Sequence, residues 1–233
     1  MQMFKFLNNN VKIVTDERVL PSLARSNDEY MAASELLDEG LLEEAEKHAR
    51  KSLEIKESIE ALILLIEILE KQGKDSSEFQ KKLIESYPAN PETYRRLFLS
   101  NFDKNKDDAL SYINRAITIM RKGIYYYEKS RLLISMERDI EALASIDQAI
   151  KLENRNAMFW NMRGTILMKL GRFGDAKESE DVALKLDPRD RDALLNLAKI
   201  YISVGDKDKA RETLMKIEVR DQEVNDLLNR TLS

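Results

Sequence analysis

The chain has 233 residues, of which 34% are charged and 43% hydrophobic, with 7 glycines, 4 prolines, no cysteine and a formal net charge of -4. That mix suits a soluble helical array with a long, narrow core, not a disordered or loop-rich chain. It excludes disulfides and thiolate chemistry, weakens a nucleic-acid reading, and offers no apolar run near the ~20 residues of a membrane span. The opening Met1–Leu7 is too short an apolar stretch for a signal peptide, so the cytoplasm is the expected compartment.

Residues 1–25 stand apart from the rest of the chain. Val11–Thr15 leans towards β structure and Pro21 interrupts the next stretch, so an extended arm is expected. Phe4, Phe6, Val11, Ile13 and Val14 are too apolar for a free tail. They are expected to lie against the first helices or against another copy of the chain, which would make a homo-oligomer.

Helical hairpins are expected from Ser26 onwards. Ser26-Asn-Asp-Glu29 reads as a capping box, and the helix runs towards Asp38 until Gly40 breaks it. The next helix places Ala45, Ala49 and Leu53 on one face. A second pair spans 58–87, with an apolar helix from Ile59 to Leu69, a stop at Gly73 and a capping box in Asp75-Ser-Ser-Glu78. Asn90 and Pro91 suit the N-cap and first position of the following helix. That helix reads in two registers, Tyr94, Leu97 and Asn101 inward or Thr93, Leu97 and Ser100 inward; the first buries more apolar surface. Its partner carries Ala109, Ile113, Ala116 and Met120, and three more pairs start near 123, 157 and 191. Asp221 to Leu232, with Val224, Leu227 and Leu228 on one face, reads as a helix covering the open end of the stack.

Two ladders run through these hairpins. Turn-like positions fall at Gly40, Gly73, Lys104, Glu137, Gly171 and Gly205, and alanines come after five of them at a constant offset, at Ala45, Ala109, Ala142, Ala176 and Ala210. The period is about 34 residues, the mark of stacked helical hairpins.

One stretch carries a nameable pattern: Trp160-Asn-Met-Arg163-Gly164-Thr-Ile-Leu167, then Gly171, Ala176, Ala183 and Leu186-Asp-Pro188. It resembles a tetratricopeptide repeat, whose pattern is W-x2-L-G-x2-Y, then A-x3-F, then P. Arg163 replaces the leucine, Leu167 the tyrosine and Glu180 the phenylalanine. The next unit complements it with Leu194, Leu197, Ala198, Tyr201, Gly205, Ala210 and Leu214, and has Gln222 where the proline would fall. The resemblance covers residues 26–222. It implies an all-α, right-handed superhelical solenoid of about six hairpins with a C-terminal capping helix. The domains are then an arm at 1–25, the repeat array at 26–220 and the cap at 221–233. It also implies a scaffold that binds a protein or peptide in a concave groove, not an enzyme. A self-assembling structural protein and an accessory subunit of an enzyme complex are the alternatives.

The residues themselves offer little chemistry. G-x-S-x-G, phosphate-loop, dinucleotide and H-E-x-x-H patterns are missing, so no catalytic, cofactor or metal residue is expected. His48 has Glu44 one helical turn before it, which reads as a solvated face. Gly164 and Ala198 are expected where two helices of a hairpin approach closely, with Trp160 packed beside the contact. In Tyr125-Tyr126-Tyr127, Tyr126 aligns with Trp160 and is expected to be buried, which turns Tyr127 towards the groove. Off the packing stripe lie Asn161, Thr165 and Lys169. One period away lie Tyr127, Arg131 and Ser135, and on the other side Leu195, Lys199 and Ser203, with Asn196 close by. Tyr127, Arg131, Asn161, Thr165, Lys169, Asn196 and Lys199 are therefore the expected partner-binding residues. The asparagines can grip an extended backbone as donor and acceptor, and the row Arg131, Lys169 and Lys199 would favour an acidic ligand. The same charges also read as an ordinary solvated face. The two-carboxylate clamp of chaperone-tail binders is matched only in part, because its equivalent positions hold Tyr30 and Ser34, and Tyr127 and Arg131.

Overall fold

The computed structural model describes residues 19–232, with side chains from residue 22 onwards. The expected arm lies outside the described residues as far as residue 18. Thirteen helices and no strand occur among the described residues. They fall into two compact units, residues 1–89 and 90–233.

The first unit holds α1 (Val19–Asp38), α2 (Leu42–Ile55), α3 (Ile59–Lys71) and α4 (Ser77–Ser86). Helix α1 begins ahead of Ser26, so Ser26 is not an N-cap. Its hydroxyl donates to the Ser52 carbonyl at 3.1 Å while the Ser52 hydroxyl donates to the Ser26 carbonyl at 2.9 Å, a reciprocal clasp between α1 and α2. Glu29, freed from capping, takes His48 Nδ1 at 2.7 Å, so the histidine meets a carboxylate of the opposite helix and not Glu44. Asp75 accepts from the Ser77 backbone at 2.9 Å just ahead of α4, in place of a full capping box. Ala33, Ala45, Ala49, Leu65 and Ile68 form the core, each wholly buried.

The second unit stacks four hairpins: α5 (Pro91–Asn101) with α6 (Lys106–Ile119), α7 (Gly123–Ser135) with α8 (Asp139–Leu152), α9 (Ala157–Lys169) with α10 (Phe173–Leu186), and α11 (Arg191–Ser203) with α12 (Lys207–Met215). Helix α13 (Gln222–Arg230) comes last, capped by Asp221 accepting from the Val224 backbone, with Val224 and Leu227 buried against Leu194, Leu195 and Leu214. Asn90, Asn156 and Asp190 cap α5, α9 and α11 through their side chains. Gly171 and Gly205 end α9 and α11 at φ 72 and 82, and Glu137 does the same after α7 at φ 59, a left-handed backbone that an L-residue adopts at a cost. Lys104 does not share that conformation.

A stacked hairpin packs on both neighbours, so its first helix has two inner faces. The third residue of each such helix in this unit, Thr93, Tyr125, Phe159 and Ala193, is wholly buried. This overturns three expectations. Helix α5 takes the register with Thr93, Leu97 and Ser100 inward and adds Phe98, while Tyr94 is partly covered and carries the Arg115 guanidinium over its ring at 5.7 Å. Tyr125, not Tyr126, is the buried tyrosine. Trp160 is half-buried beside the fully buried Phe159, and its indole N–H donates to the Asn154 carbonyl at 2.8 Å. An indole donor needs such a partner once it leaves water.

Candidate functional site

The expected binding residues lie on α7, α9 and α11. On α7, Tyr127 is half-buried and stacks on Phe159 with centroids 5.6 Å apart. Desolvation raises its phenol above the ordinary value. Arg131 lies over two rings, 5.6 Å from the Phe102 centroid and 5.9 Å from that of Tyr127. It is exposed and makes no ion pair among the described residues. The other two cations of the expected row are neutralised, Lys169 by Asp139 at 2.8 Å and Lys199 by Glu223 at 2.7 Å. The row is therefore one open cation and two ion pairs.

Asn161, Thr165, Asn196 and Lys199 come together. They line one depression of about 200 Å³ between α9 and α11, together with Asp192, Leu195 and Glu223. Its hydrogen-bonding valences are incomplete. Asn196 Nδ2 donates to Thr165 Oγ1 and to Glu180 Oε1, each at 3.0 Å. Asn161 Nδ2 is shut off from water and has no partner among the described residues, and Glu180 Oε2 is in the same state.

Glu180 belongs to α10 and is wholly buried. It rests on Gly164 of α9, where a Cβ would come within 2.2 Å of its Oε1. Only glycine leaves room for the carboxyl at that crossing. Burial pushes its pKa up to about 9; the Asn196 amide pulls the other way, and Asp190, Asp192 and Asp181 add to the rise. The group is therefore a neutral acid at pH 7. The Arg163 side chain on α9 is engaged with Asp147 at 2.8 Å and with Ser179 at 2.7 Å.

The profile of the tetratricopeptide repeat family matches residues 167–230. A TPR repeat-containing protein of Methanocaldococcus jannaschii is 33% identical over 117 residues, covering 49% of this chain and 20% of the relative. The Protein STIP1 homolog of Dictyostelium discoideum is 30% identical over 111 residues, covering 46% of this chain and 19% of that protein. The match thus spans about a fifth of either relative. The solved structure of pilF from Pseudomonas aeruginosa covers 90% of this chain and 99% of its own at TM-score 0.71 and 15% identity, a likeness of fold. The chain carries tetratricopeptide repeats.

Within these repeats, Glu180 stands where the pattern has its phenylalanine, after Ala176. The departure was visible in the sequence; its consequence was not. A second polar group also escaped sequence reading. Arg95 on α5 donates to both carboxylate oxygens of Glu128 on α7, at 2.7, 2.9 and 3.1 Å, and Glu128 is 4% exposed. The hydrogen bonds to Glu128 hold Arg95 above its ordinary pKa against the opposing cost of burial. Beside it, the Tyr125 hydroxyl donates to Glu92 at 2.6 Å. A run of charged and aromatic residues gives no sign of which pair will be buried together. Among the described residues, no helix is long and apolar enough to cross a membrane.

Proposed function

We propose that the face formed by α7, α9 and α11 binds an extended segment of a partner protein, and that the chain serves as a non-catalytic scaffold. Tetratricopeptide repeats generally mediate protein–protein interaction, and the Methanocaldococcus jannaschii relative carries the same repeat. The observation that carries the reading is the pair of asparagines along one depression. Asn161 and Asn196 both line it, and neither Oδ1 accepts a hydrogen bond from any described residue. An extended peptide offers N–H groups along its edge and would answer both.

A preference for acidic ligands rests on Arg131 alone, since Lys169 and Lys199 already have carboxylate partners. An acidic side chain would therefore sit at the α7 end, over Phe102 and Tyr127. The test is selection of peptides from a random displayed library against the whole chain, followed by affinity measurement. Asn161→Ala and Asn196→Ala should each weaken the selected peptides about tenfold, the worth of a good hydrogen bond. Arg131→Glu should weaken only those with an acidic residue, and that part of the affinity should fall with salt. Peptides that bind all these variants as they bind the wild type would remove the groove reading.

A further inference from the structure

Asn196 has one amide group and two faces to serve. The inner face holds Thr165 Oγ1 and Glu180 Oε1, each 3.0 Å from Nδ2. A primary amide has two N–H donors, so both are spent within the protein. Its carbonyl oxygen is left without a partner among the described residues, at the wall of the depression. Glu180 can accept there because it is pinned: the backbone of Gly164 lies under it, and it is wholly enclosed. A phenylalanine at this place would fill the same space without an acceptor, and the Asn196 amide would be free to turn over.

We infer that Glu180 is a positioning residue that, with Thr165, draws the two amide hydrogens of Asn196 inward and leaves Asn196 Oδ1 as a fixed acceptor, so that this subsite selects a hydrogen-bond donor, a main-chain N–H or an ammonium, and rejects a carboxylate. The charges around the subsite are balanced and leave the choice to the amide oxygen: Glu223 pairs with Lys199 at 2.7 Å, and Arg191 lies 3.9 Å from Glu223 and 3.8 Å from Asp192. A carboxylate would meet the Asn196 oxygen with no hydrogen to share. An ammonium or a main-chain N–H would donate to it. The groove is then polarised, with the Arg131 end suited to anions and the Asn196 end to donors. The ligand half of this inference rests on the proposed binding role; the orientation of Asn196 does not.

Two measurements on the whole isotope-labelled chain separate those halves. The first tracks the side-chain amide protons of Asn196 by NMR. In the wild type and in Glu180→Gln, which keeps an acceptor oxygen, both protons should be protected and resolved. In Glu180→Leu, which keeps the packing and loses the acceptor, exchange of the released proton should rise about tenfold. Equal exchange in all three would overturn the positioning role. The second titrates n-butylammonium and butyrate, which share a stem and differ in charge. Shifts at Asn161, Thr165 and Asn196 with the ammonium and not with butyrate support the assigned subsite. A stronger response to butyrate would mean that Asn196 presents its donors, which overturns it. Silence from both probes would overturn the ligand half while the exchange result stands on its own.

Discussion

Two buried carboxyl groups in the same unit have opposite fates. Glu128 on α7 meets a guanidinium in a bidentate pair, with the Tyr125–Glu92 hydrogen bond beside it. Glu180 on α10 meets one amide and keeps an oxygen without a partner. The first cluster joins α5 to α7 and has little left to offer a ligand. The second lies under a depression and leaves donors and acceptors unanswered. Polar groups in a repeat core therefore divide by what remains unsatisfied: a complete network is a fastener, and an incomplete one is a candidate for recognition.

Substitutions at the two carboxyls should separate them. The largest effect should come from Arg95→Ala, which leaves Glu128 as an uncompensated buried carboxylate and should cost about 3–5 kcal/mol by denaturant unfolding. Replacing both partners, Arg95→Met with Glu128→Leu, should restore most of that loss. If the single change costs no more than the double, the pair is not the fastener described.

Next comes Glu180, whose signature is pH. Its folded pKa of about 9 lies above the ordinary carboxyl value of 4.5, so the folded chain holds a proton that the unfolded chain has released between those values. The stability that this proton carries is complete below the ordinary carboxyl pKa and is lost as pH rises towards the folded one. Glu180→Gln should therefore gain on the wild type as pH rises from 5 to 8, by at most about 1.4 kcal/mol per unit. Parallel pH profiles for the two proteins would show that Glu180 is charged in the fold.

The smallest effects compare single hydrogen bonds at the two clusters. Tyr125→Phe removes the hydroxyl that binds Glu92 and should cost about 1 kcal/mol. Thr165→Val should cost less, about 0.5 kcal/mol, because Asn196 keeps its hydrogen bond to Glu180 and water in the depression can meet the hydrogen that Thr165 releases. Equal costs would erase the distinction between a closed and an open network.

Much of this architecture is written locally. Gly40, Gly73, Gly171 and Gly205 mark helix ends because a left-handed residue stops a helix wherever it stands. Ala45, Ala109, Ala142, Ala176 and Ala210 are all wholly buried, as a periodic small residue at a helix contact should be. Helices α7, α9 and α11 begin at Gly123, Ala157 and Arg191, as the period places them. The shared face was legible too, since residues spaced along a helix share a side whatever packs on it. Asn161, Thr165, Asn196 and Lys199 meet in one depression for that reason.

What local spacing could not decide is which side chain of a helix meets which neighbour. Thr93 and Ser100 are inward on α5, Tyr125 is buried in place of Tyr126, and Ser26 clasps Ser52 from inside a helix that starts earlier than its capping pattern suggested. Each depends on a partner helix that the sequence orders but does not orient. The clearest case is Glu180, a departure from a repeat pattern in one dimension. In three, it is an acid lying on Gly164, neutral because it is dry, and bonded to the amide of Asn196. Periodicity determined the helices, their turns and the face they share. Desolvation and the contacts between helices decided which charges are spent and which hydrogen bonds remain open, because both depend on neighbours distant in the chain.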